Sequence, residues 1–104
     1  MTTVTLFHSE ENPIGFMCKG HAGFARAGKD IVCAAVSVLS TTCANALESV
    51  AGVTPQIEVE DGYMKVMLPE GCMSRDARVI LKTFEQGVRD IEASYPKYIH
   101  ITTR

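Results

Sequence analysis

The sequence predicts a two-layer α+β domain of order ββαββαβ, with a mostly antiparallel sheet and two helices on one face. Three features carry that prediction. Alternating stretches flank two turn signals, Glu10-Glu11-Asn12-Pro13 and Asp61-Gly62, and so form two hairpins. Two longer stretches, from Ile31 and after Ser74, repeat apolar residues every three or four positions and so form helices. A short alternating run from Tyr98 ends the chain. Two helices laid on one sheet face would bury both apolar stripes.

In chain order, Thr2 to His8 sets Val4 and Leu6 on one face and Thr3, Thr5 and Phe7 on the other, which predicts an opening strand. Glu10 to Pro13 is a turn, and Ile14 to Lys19 is its return strand. The first helix begins at Ile31, repeats through Val32, Val36, Leu39, Cys43, Ala46 or Leu47, and Val50, and closes at Gly52. Small uncharged residues fill most of its other positions, as expected of a buried central helix. Gln56 to Glu60 and Tyr63 to Leu68 flank Asp61-Gly62 as the second hairpin, and Pro69 to Met73 is a loop. Ser74 caps a second, amphipathic helix with an apolar stripe of Ala77, Ile80, Leu81, Phe84, Val88 and Ile91. Tyr95-Pro96 ends that helix, and Tyr98 to Thr102 is the last strand.

A chain of 104 residues suffices for one core, so residues 1–104 are expected to form a single domain. An apolar share of 46% with 21% charged residues excludes a disordered chain. A formal charge of −2, a pI near 5.9 and no run of lysine or arginine argue against binding to a nucleic-acid backbone. Met1 to Phe7 lacks the features of a signal peptide. No window holds the roughly 18 apolar residues of a membrane span, so a cytoplasmic location without membrane contact is expected. Cys18, Cys33, Cys43 and Cys72 show no C-x-x-C spacing and read as free thiols of a reducing compartment.

The chemistry-bearing stretch is Gly20 to Ser37. With Asp30 as N-cap, Cys33 stands in the first helical turn, at the positive end of the macrodipole, where a thiolate is favoured. The amides there can also help hold an oxyanion. His21 is the histidine placed in the loop leading to this helix, twelve positions before Cys33, and the glycines let that loop fold back to join base and thiol. Each residue also has a plainer reading: Cys33 as core filler, Asp30 as a cap alone, Ser37 bonded back to the Cys33 carbonyl. Cys18 and Cys43 read as core, Cys72 as a neutral loop residue, and His8 and His100 as surface or satisfied histidines. Glu58, Glu60 and Asp61 read as a solvated hairpin end. A zinc site of His21, Cys33 and two further cysteines lacks paired-ligand spacing, and neither metal nor cofactor is expected.

Gly20-His21-Ala22, Gly28, Asp30-Ile31-Val32-Cys33-Ala34-Ala35 and Ser37 together resemble the signature of the ribosomal-processing cysteine proteases called Prp. That resemblance implies a cysteine endopeptidase that removes the N-terminal extension of large-subunit ribosomal protein twenty-seven, cutting after a phenylalanine pair and before a small residue. It implies His21 and Cys33 as the catalytic pair and Asp30 and Ser37 as supporting residues. It also implies a homodimer, and a loop with Gly20, Gly23, Phe24 and Gly28 that orders around substrate. His21 would be oriented by backbone or by Asp30, and Phe24 with the first hairpin would form the phenylalanine subsite. The alternatives are a thiol redox protein, with Cys33 resolved by Cys18 or Cys72, and a non-enzymatic module that binds a ribosomal or other basic protein.

Overall fold

Seven elements follow in the expected order: β1 (Thr2–Ser9), β2 (Asn12–Lys19), α1 (Ile31–Ser49), β3 (Gln56–Glu60), β4 (Tyr63–Met67), α2 (Arg75–Ser94) and β5 (Ile99–Thr103). The computed structural model describes residues 1–26 and 29–104. The strands form one sheet of order β3-β4-β2-β1-β5. β5 pairs parallel with β1, and the other three pairings are antiparallel, so the sheet is mixed with an antiparallel majority.

Boundaries differ from the sequence reading at the first hairpin and at β5. Ser9 pairs with Asn12, which leaves Glu10-Glu11 alone as a two-residue turn and brings Pro13 inside β2. The ladder register shifts between Phe7 and His8, opposite Pro13. A bulge of this kind accommodates a residue with no N–H to donate. β5 runs from Ile99 to Thr103, one residue later than predicted.

The core lies between one sheet face and the helices. Val4, Leu6, Phe16, Cys18, Val66 and Ile99 from the strands meet Val32, Val36, Ala44 and Leu47 of α1 and Ala77, Leu81, Phe84 and Val88 of α2. Phe16 and Phe84 stack at its centre with ring centroids 3.9 Å apart. α1 has the length and composition of a membrane span, with a mean hydropathy of 1.5, although its sequence never reaches an unbroken apolar run. In the fold it packs along α2 and buries Val32, Val36, Cys43 and Leu47. Only 33% of its apolar window is buried, and Val38 and Val50 are exposed, so it is less buried than the central helix the sequence predicts. The helices do not cover β3, whose five residues are all exposed, Ile57 and Val59 included. The cleft opens along that uncovered margin.

Candidate active site

The first half of α1, the exit of β2, the start of β1 and the β3–β4 turn surround a cleft of about 340 Å³. His21 and Cys33 both line it, and so do Gly20 and Ser37. His21 is exposed and Cys33 half-buried, so the cleft reaches both from solvent.

Asp30 sets the helix start that holds Cys33. Its Oδ1 accepts the N–H groups of Val32 at 3.0 Å and Cys33 at 2.9 Å, and its Oδ2 accepts that of Phe24 at 3.1 Å. The Cys33 amide is the chief reason that the Asp30 carboxyl is held below its usual range. One short side chain thus caps α1 and ties the His21–Asp30 loop to it. The Cys33 side chain also helps lower the carboxyl, and the hydrogen bonds of Asp30 run to Phe24, Val32 and Cys33. The Val32 and Cys33 amides, expected from the sequence to serve an oxyanion, are already taken by that carboxylate. A helix start needs its orphan N–H groups satisfied, and the nearest carboxylate satisfies them first.

The sulfur of Cys33 faces the loop. The N–H of Ala22 donates to Sγ at 3.2 Å, which brings the main chain next to His21 against the thiol. Gly20, at φ +91°, passes close under the N-terminus, where a Cβ would lie 2.7 Å from the Met1 carbonyl oxygen. Gly23 has φ +75° and open space around it. Phe24 turns its ring edge-on to Tyr95 and Tyr98, with centroids 5.5 and 5.1 Å away. Val36, Val59, Tyr63 and Met64 line the cleft together with Thr2 and Cys18 of the first hairpin, and Phe24 is not among its lining residues. Gly28 lies outside the described residues.

The other cysteines have different surroundings. Cys18 reaches the cleft, but its thiol is buried and paired with the Ser40 hydroxyl at 3.3 Å, and Ser40 itself donates to the Val36 carbonyl at 2.7 Å. Burial pushes the Cys18 thiol up to about 11, partly offset by the Ser40 hydrogen bond. Burial, then the neighbouring Cys18, pushes Cys43 up to about 12. Both remain protonated and poorly nucleophilic near neutral pH. Cys72 is half-buried in the loop before α2. His8 sets Nε2 2.7 Å from Glu85 Oε2 while its buried Nδ1 lacks a hydrogen-bond partner among the described residues, and His100 is exposed.

One wall of the cleft escaped the sequence reading. Val59 through Met64, including the Asp61-Gly62 turn, line it beside His21. Their own stretch signals only a hairpin. The link is the pairing of Lys19 with Tyr63, which lays the turn beside Gly20, and nothing local in either segment encodes that pairing.

The family model described as Cysteine protease Prp matches residues 1–100. The ribosomal processing cysteine protease Prp of Bacillus subtilis (strain 168) is 28% identical over 109 residues, covering 99% of this chain and 97% of that protein. Among solved structures, the essential ribosomal processing protease Prp from S. aureus with a covalently linked product peptide superposes with a TM-score of 0.93 at 26% identity, each chain covered in full. The same S. aureus protease with a substrate peptide gives a TM-score of 0.87 at 25% identity, again with both chains covered in full.

Proposed function

The chain belongs to the Prp family of ribosomal-processing cysteine proteases, and from that premise we propose that it removes the N-terminal extension of large-subunit ribosomal protein twenty-seven, cutting after a Phe-Phe pair. The whole chain serves as one protease domain. It acts in the cytoplasm as a homodimer and engages no nucleic acid directly.

In this reading Cys33 is the nucleophile and His21 the base. The single observation that carries it is that both line one solvent-open cleft, with Cys33 in the first turn of a capped helix. The Cys33 sulfur attacks the scissile carbonyl while His21 accepts the thiol proton. His21 then returns that proton to the leaving amine, and a water activated by the same imidazole hydrolyses the acyl-enzyme. The positive end of the helix dipole and the Ala22 N–H aimed at sulfur both suit a negative sulfur. Asp30 supports this arrangement as cap and loop tie, and Ser37 contributes from the next turn on the cleft side. The loop carrying Gly20, Gly23 and Phe24 orders around bound substrate. Val36, Val59 and Met64 form the apolar subsite for phenylalanine.

Against the redox alternative stands Cys18, the cleft's second thiol, held protonated by burial. The test is cleavage of a peptide carrying Phe-Phe-Ala and a basic tail, read by mass spectrometry. Wild type should cut after the second phenylalanine. Cys33→Ala and His21→Ala should each lose at least about 10³-fold in rate while melting close to wild type. An intact peptide with wild type, or cleavage by Cys33→Ala, defeats the reading.

A further inference from the structure

The imidazole of His21 lies against a residue that bears no side chain. A Cβ built on Gly62 would stand 3.0 Å from His21 Nε2 and 3.5 Å from both Cδ2 and Cε1. The ring therefore presents its Nε2 edge to the Asp61-Gly62 turn, in a slot that exists because position 62 is glycine. The same turn is fastened to the strand exit that carries the histidine, since the N–H of Gly20 donates to the Gly62 carbonyl at 2.8 Å. Main chain and ring of the Gly20-His21 segment thus both take their place from Gly62. The hydrogen bonds of Asp30 run instead to Phe24, Val32 and Cys33.

We infer that Gly62 is a positioning residue for the His21 base, which makes the β3–β4 hairpin a working part of the active site. The inference rests on the reading of His21 as the catalytic base. A Cβ at 62 makes the ring give by a few tenths of an ångström, because a contact of 3.0 Å is tighter than an ordinary Cβ contact. Since displacing a catalytic group by about 1 Å can cost about 10²-fold in rate, a shift of this size should cost about 3- to 10-fold.

A built-in control separates this effect from backbone strain. Gly52, at φ +69°, has nearly the same conformation as Gly62, at φ +66°, yet nothing lies within 4 Å of its Cβ position. Gly52→Ala therefore carries the left-handed penalty alone, and Gly62→Ala carries it together with the collision. The experiment measures kcat and KM on the Phe-Phe-Ala peptide for both variants and for Gly62→Asn, whose residue tolerates positive φ but keeps a Cβ. It also records the His21 ring cross-peak by NMR.

The expected result is a kcat about 3- to 10-fold lower for Gly62→Ala and Gly62→Asn, with KM within about twofold and a displaced His21 cross-peak. Gly52→Ala should leave kcat and the cross-peak as in wild type. Should Gly62→Ala fail to fold, Gly62→Asn alone decides. The inference is overturned if a folded position-62 variant keeps wild-type kcat, or if Gly52→Ala loses as much. Wild type that cannot cleave the peptide defeats the protease reading itself, a failure distinguishable from an active wild type with equally active Gly62 variants.

Discussion

Two tight hairpin turns close opposite ends of the same sheet, Glu10-Glu11 between β1 and β2 and Asp61-Gly62 between β3 and β4. At the first, both glutamates take positive φ, 52° and 69°, the backbone of a type I′ turn with neither asparagine nor glycine to ease it. At the second, φ is positive at Gly62 alone. The strained turn lies away from the cleft that holds His21 and Cys33, and the register around it is held by Val4, Leu6, Phe16 and Cys18 on the core face. The relaxed turn has the His21 ring where a side chain would stand. Glycine at 62 thus serves space as much as conformation. The distal turn tolerates two Cβ atoms in the left-handed region because its strands are already registered.

Exchanging the two turns tests that contrast most severely. With Asp61→Glu and Gly62→Glu together, the site-end turn becomes Glu-Glu, and peptide cleavage should fall at least about 10²-fold through the displaced imidazole. Circular dichroism should still report a folded chain. A double variant with wild-type activity would erase the distinction between the turns.

Removing the other anchor of the site end should show next in stability. Asp30→Ala loses the α1 cap and the Phe24 tie, and its melting temperature at pH 7 should drop by several degrees, as loss of a cap does. The folded-state carboxyl of Asp30 is lowered, so the stability it contributes is present above the unfolded carboxyl range and is lost as pH falls through the folded value. The melting gap between wild type and Asp30→Ala should therefore stay constant above about pH 5 and close below about pH 4. A gap unchanged at pH 3 would mean that the carboxylate charge plays no part.

At the distal end the sign reverses. Glu10→Asn with Glu11→Gly relieves two left-handed residues and should stabilise the fold by about 1–2 kcal/mol in urea titration, with cleavage unchanged. The smallest effect is chemical. Iodoacetamide at pH 8 should modify Cys33 and Cys72 and leave Cys18 and Cys43 intact over the same interval, since burial raises both. Rapid labelling of Cys18 by mass spectrometry would reopen the redox alternative.

Some of the site was legible in the chain itself. Asp30 three residues before Cys33, at the onset of a three-and-four periodicity, announces a capped helix start, and the carboxylate does accept the Val32 and Cys33 amides. His21 in a glycine-bearing loop could be placed near that start, and the two do share a cleft. The capping that the sequence announces also commits those amides to Asp30. The setting of the Phe24 ring was not legible, because its T-shaped partners Tyr95 and Tyr98 lie some seventy residues later.

By itself the sequence determined the elements, their order, the helix caps and the hairpins, because period, capping and turn chemistry act between residues a few positions apart. The tertiary structure alone decided that β4 pairs with β2, in the order β3-β4-β2-β1-β5, and so that the Asp61-Gly62 turn arrives beside His21. Strand neighbours are chosen by which apolar faces the two helices can cover together. That choice is a property of the whole core and leaves no mark in either segment it joins.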